Sequence, residues 1–227
     1  MTFHEQLLAS TAEERASLVA TPIIQHTLRG EVTLPGYLAF LTEAYHHVRH
    51  TVPLLCACRS RLSQRLAWLQ PELDQYIAEE SGHDEWILDD IAACGGDAMA
   101  ARHGTPRPAT EIMVAYAYDT IARGNPLGFF GMVLVLEGTS VALALQAANR
   151  IQRALCLPDR AFSYLRSHGE LDREHTAHFA RLMDLIDEPA DQRAIVHAAR
   201  MFYRLYGDVF RSLPLPVARR PIEEAIA

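Results

Sequence analysis

The side chains of this chain that could do chemistry sit on four apolar, helix-patterned stretches. Glu137 is the clearest. It lies in the run Gly131-Met-Val-Leu-Val-Leu-Glu-Gly-Thr-Ser-Val-Ala-Leu-Ala-Leu145, which is apolar on every face, as a central helix is. A carboxylate there is costly unless it is paired, hydrogen-bonded or bound to a metal. Glu80-Ser-Gly-His83-Asp84 is the second stretch. Leu73, Tyr76, Ile77, Ile87 and Ile91 form a stripe that Glu80, His83 and Asp84 continue, with Glu80 and His83 one turn apart. A Glu-x-x-His pair ligates metal in carboxylate helix bundles. His168, Asp172 and His175 fall at i, i+4 and i+7, on a face that runs on through Leu165, Phe179 and Leu182. His178 lies further round. Glu43 shares a face with His47 and His50, with His46 beside it; spacing alone does not choose among these histidines.

Plainer roles compete with each motif. Glu137 could pair with an arginine, and the His168–Asp172–His175 face could be a charged surface stripe. Taken together, however, the four stretches predict inward Glu43, Glu80, His83, Glu137, His168 and Asp172, with His175 beside them. Oxygen and nitrogen donors without thiolate suit iron or manganese. Six or seven ligands exceed the needs of one ion, so two ions are expected, and two reduced irons can activate O2.

The elements that must position these groups read as helices throughout, with Gly and Pro between apolar-periodic segments and no alternating strands. The pattern predicts helices over 3–20, 22–29, 34–66 with a kink or break at Pro53, 71–95, 109–122, 127–155, 159–186 and 189–212. The longest loop is expected at 97–108, and 213–227 is a Pro-rich tail. Short connections favour antiparallel neighbours, and no linker or repeat divides the chain. The expected fold is all-α, a single domain over 1–227 with its core at about 20–212.

Composition narrows the classes. The chain has 227 residues and a formal charge of −7, which disfavours nucleic acid or an anionic membrane as the main partner. It contains no lysine, which excludes a lysine Schiff base and a P-loop. Cys56, Cys58, Cys94 and Cys156 form no Cys-x-x-Cys pair, so they read as reduced small hydrophobes. No basic-then-apolar leader opens the sequence, and no apolar run reads as a membrane span. The expectation is a cytoplasmic protein.

At this point the sequence resembles the haem-oxygenase-like superfamily, which also holds the TenA thiaminases and the pyrroloquinoline-quinone synthase. It is most similar to the di-iron oxidase branch, with the undecene-forming fatty-acid decarboxylase and the CADD-type protein. The resemblance spans about 20–212. Thr21-Pro22-Ile…Gly30…Tyr37-Leu-Ala-Phe-Leu-Thr-Glu-Ala-Tyr-His-His-Val is similar to the start of TenA-like chains. Glu43, the Glu80/His83 pair, Glu137 and His168-x-x-x-Asp172-x-x-His175 match the branch in order. The resemblance implies a bundle of seven to eight helices. It also implies two Fe ions (or Fe/Mn) held by those residues, O2 as co-substrate, a small and partly apolar organic substrate, and a homodimer. A cysteine nucleophile is missing where TenA enzymes carry one, since Glu137 is there. Their late catalytic Glu would fall near Tyr206. Thiamine degradation is therefore disfavoured, leaving a metal-free enzyme or binding protein of that shape as one alternative. Another is a haem protein using His26, and a ferritin-like carboxylate bundle is a third. Tyr203, Tyr206 and Phe210 are candidate pocket residues, with core packing as the competing role.

Overall fold

The computed structural model describes residues 1–216, except for the side chains of residues 168–175. Among the described residues every regular element is helical. The first three are short: α1 (Phe3–Ser10), α2 (Ala12–Val19) and α3 (Pro22–Leu28). They are followed by α4 (Leu34–Val48), α5 (Thr51–Ser60), α6 (Gln70–Glu80), α7 (His83–Ala93) and α8 (Ala98–His103). The long helices come last: α9 (Pro108–Arg123), α10 (Phe129–Leu155), α11 (Ser163–Asp184) and α12 (Pro189–Ser212).

The expected all-α bundle is present, but its rods are cut more finely than the apolar pattern suggests. The 3–20 helix breaks at Thr11, whose hydroxyl bonds back to the Leu7 carbonyl at 2.8 Å and so competes with the helical ladder. The 34–66 helix breaks at Arg49–His50, before Pro53 rather than at it. Proline is tolerated in the first turn of α5, where its missing N–H is not needed. The 71–95 helix breaks at Ser81-Gly82, with Gly82 at φ +92°, in the left-handed region that favours glycine. The loop at 97–108 contains α8, capped by Asp97, whose carboxylate accepts the Ala100 N–H at 2.9 Å.

α10 is the axis of the molecule. It packs along α11 and α12 and also meets α3 and α9. Its approach to α12 requires Gly131, since a Cβ there would lie 2.5 Å from the Ala199 nitrogen. The segment Pro126–Leu155 is long and apolar enough to cross a membrane, which corrects the expectation that no run reaches that length. Its most apolar stretch is mostly buried by neighbouring helices, the arrangement of a core helix. The buried hydrophobic residues form two clusters. One is built around Leu54, Leu73, Phe130 and Phe202, the other around Leu41, Ile87, Ala148 and Phe162.

Candidate metal centre

A cavity of about 170 Å³ lies between the two clusters, lined by residues of both. Its walls come from α3, α4, α5, α6, α10, α11 and α12. They are mainly aliphatic and aromatic. The only described carboxylates on them are Glu80, at the end of α6, and Glu137, midway along α10. Two helices far apart in sequence thus bring their acidic groups to one apolar space.

His83 opens α7 just across the Gly82 break. Its Nδ1 is 3.1 Å from Glu80 Oε2, and both side chains are largely buried, at 4% and 10% exposure. The His83 ring stacks on Trp86, with centroids 4.1 Å apart. The Glu80/His83 pair is therefore held across a helix break, not along one continuous turn as the spacing predicts.

His47 reaches the same cavity. Its Nδ1 lies 2.8 Å from the Glu43 carbonyl. A carbonyl only accepts, so Nδ1 carries a proton toward it. The ring meets Tyr206 edge to face at 5.7 Å. His47 lines the cavity beside Phe40, Thr51 and Leu54, which resolves a choice among histidines that spacing left open. Tyr206 and Phe210 also line the cavity, whereas Tyr203 packs into the first core cluster. Burial pushes the Tyr206 phenol well above its ordinary range, which keeps it protonated.

Glu43 is placed elsewhere. It is buried, but its carboxylate accepts the Arg107 N–H at 3.1 Å and the Thr110 hydroxyl at 2.5 Å, with Arg107 Nε 3.8 Å away. Those are the first groups of α9, so Glu43 caps a neighbouring helix, the position a carboxylate favours. It is not among the cavity residues. Asp90 on α7 does the same for α11. It is fully buried and accepts the Ser163 and Tyr164 N–H groups at 2.9 Å each. Burial nonetheless raises its pKa, against the pull of those bonds. Nothing in the hydropathy pattern distinguishes such a cap from a ligand.

His46 is buried with no partner for Nε2, and desolvation holds its pKa below the ordinary value. His50 meets the Tyr118 hydroxyl at 3.1 Å. His26 is on α3 but not on the cavity. It pairs with Glu31 at 2.5 Å, and the hydrogen bonds from Arg29 first and His26 second hold the Glu31 carboxyl at about 2. The side chains of the expected ligands His168, Asp172 and His175, on α11, lie outside the described residues. Among the described residues no three His, Cys, Asp or Glu side chains come together as a metal-binding group. The described ligand-type groups toward the cavity are thus Glu80, Glu137 and His47, with His83 on Glu80. Such oxygen and nitrogen donors fit iron or manganese.

The fold and site define an all-helical, haem-oxygenase-like protein. The solved structures it resembles include a haem-oxygenase-like domain of unknown function from Shewanella denitrificans, with TM-score 0.83, 22% identity, and coverage of 93% of this chain and 91% of that one. They also include a haem oxygenase from Leptospira interrogans, with TM-score 0.75, 17% identity, and coverage of 94% and 100%. A CADD-like protein of unknown function from Nostoc punctiforme gives TM-score 0.71, 16% identity, and coverage of 92% and 94%. At these identities the likeness is one of fold. No curated protein matches the sequence. The profile of a family described as iron-containing redox enzymes matches residues 38–207, and the chain belongs to that family.

Proposed function

We propose that this protein is a non-haem di-iron, or mixed iron–manganese, oxidase or oxygenase that uses O2 to oxidise a small organic substrate. The observation that carries this is the meeting of Glu80 and Glu137 in one mainly apolar cavity, with His83 bonded to Glu80. Glu80, His83 and Glu137 would hold metal from α6, α7 and α10, and His168, Asp172 and His175 from α11. When bound, reduced iron supplies the electrons that activate O2. The chain's own part is to hold these donors and keep water out. Aliphatic walls exclude water, Trp86 fixes the His83 ring, and the Gly82 break sets His83 against Glu80. Tyr206 stays protonated beside His47, a neutral hydroxyl at the cavity wall.

The haem alternative requires a histidine of α3 on the cavity. That helix instead presents Ile23, Ile24, Thr27 and Leu28 to it, while His26 is tied to Glu31. The test is anaerobic reconstitution with Fe(II), an iron count per chain, then admission of O2 with the visible spectrum recorded. About two irons per chain are expected, with a transient absorbance lost in Glu80→Ala and Glu137→Ala. Tight haem uptake with a Soret band and no non-haem iron would overturn the reading, as would retention of neither.

A further inference from the structure

The described wall of the cavity is helical almost everywhere. The exceptions are Val32 and Thr33, before α4, and Leu213, Pro214 and Pro216, after α12. The first pair is tied down. The Thr33 hydroxyl accepts the Gly36 N–H at 3.2 Å, and the Glu31 N–H just before it bonds the His26 carbonyl at 2.9 Å. The second stretch is built differently. Pro214 and Pro216 have no N–H to donate, and each disfavours a helical residue before it. Leu213 accordingly leaves α12 extended, at φ −75° and ψ 149°. The chain then passes the start of α4, where a Cβ on Gly36 would lie 3.6 Å from the Pro214 carbonyl oxygen. Leu213 is buried, whereas Pro214 and Leu215 are exposed.

Arg107 fastens this stretch to the body of the protein. Its guanidinium donates to the carbonyl of Ser212, the last residue of α12, at 2.9 Å. A cation is favoured at such a helix end. Arg107 is held in turn by Glu43. Its backbone N–H bonds that carboxylate at 3.1 Å, and its Nε lies 3.8 Å away. Glu43, buried and off the cavity, thus positions the arginine that grips the end of α12. The Arg107 side chain is half-exposed, so its bond to Ser212 breaks and re-forms in contact with water at small cost.

We infer that residues 213–216 are a hinged strap over one side of the cavity, latched by Arg107 at Ser212, and that small organic molecules enter where it lifts from Gly36. As a route for substrate this rests on the oxidase reading; as an opening to the cavity it does not. An extended segment with two prolines, one buried side chain and an exposed latch opens more readily than the packed helices around it. The hinge is the turn from Ser212 to Leu213.

Metal-free protein gives the test. Uptake of the neutral naphthalene dye prodan is followed by stopped-flow fluorescence, and exchange of the Leu213 amide, bonded to the Phe210 carbonyl, by NMR. Arg107→Ala should raise both the dye association rate and the Leu213 exchange rate by about fivefold, the loss of one hydrogen bond. Arg107→Gln, which keeps a shorter donor, should give a smaller rise, and it serves if the alanine variant does not fold. Arg102→Ala, which breaks a surface pair with Glu85, should change neither rate. Equal dye rates in the Arg107 variants and the unchanged protein would overturn the strap. So would a rise that Arg102→Ala matches, a rise without faster Leu213 exchange, or no uptake by any of these proteins. The iron count after reconstitution remains a separate test of the oxidase reading in every case.

Discussion

Buried carboxylates in this protein serve two different ends. Glu43 and Asp90 are both buried, and both accept backbone N–H groups that open another helix. Glu80 and Glu137 instead face an apolar cavity. Capping and ligation respond differently to truncation. Glu43→Ala removes a charge-assisted cap and leaves the Thr110 hydroxyl and Arg107 N–H without their acceptor, a loss of about 1–3 kcal/mol. Chemical denaturation should show this loss, while the iron content after reconstitution should equal that of the unchanged protein. Loss of half or more of the iron in folded Glu43→Ala would return Glu43 to the ligand set that the resemblance implies.

At the scale of elements, periodicity located the helices and their breaks obeyed local chemistry. α10, α9 and α12 were legible because apolar spacing and flanking Gly or Pro agree there. α8 carried a readable signal, Asp97 before a run of alanines, that the Gly and Pro around it obscured. The break before α7 was hidden because the apolar stripe runs through Glu80 and His83 without a change of phase. Only Gly82 marks it, and a lone glycine is compatible with a continuous helix. Of the candidate site, the burial of Glu80 and His83 and the meeting of Glu80 with Glu137 at one cavity were legible from their apolar surroundings, whereas the bonds of Glu43 to Arg107, 64 residues away, and to Thr110 on α9 were not. Gly82→Ala tests the break directly. Its left-handed backbone strains any L side chain, though a Cβ there would meet nothing within 4 Å. The expected loss is about 1 kcal/mol from backbone strain. Iron affinity should also fall, because the Glu80–His83 geometry depends on that turn. Unchanged stability and affinity would show that the break does not require its glycine.

Over the whole molecule, two hydrophobic clusters enclose a cavity, and α10 runs through both. α4 bounds the same cavity and ends in His46, His47 and, just past it, His50. Burial lowers the pKa of His46 and His50, more than Glu43 raises it at His46; Arg49 lowers both. The unfolded chain then binds more protons than the folded one below the ordinary histidine value of about 6.5. Stability from these groups is fully present above that value and is lost as pH falls toward their depressed folded values. Each can contribute a slope of up to about 1.4 kcal/mol per pH unit within that window. Glu31, held at about 2, acts in a separate range, losing its contribution only as pH falls from the ordinary carboxylate range toward that value. Thermal midpoints of the metal-free protein between about pH 7 and pH 5 should therefore decline. In His46→Phe, which keeps a ring of similar size in the site, the decline should be shallower. An equal decline in both proteins would mean that His46 does not carry the acid sensitivity of the fold, and would leave His50 and its contact with Tyr118 as its source.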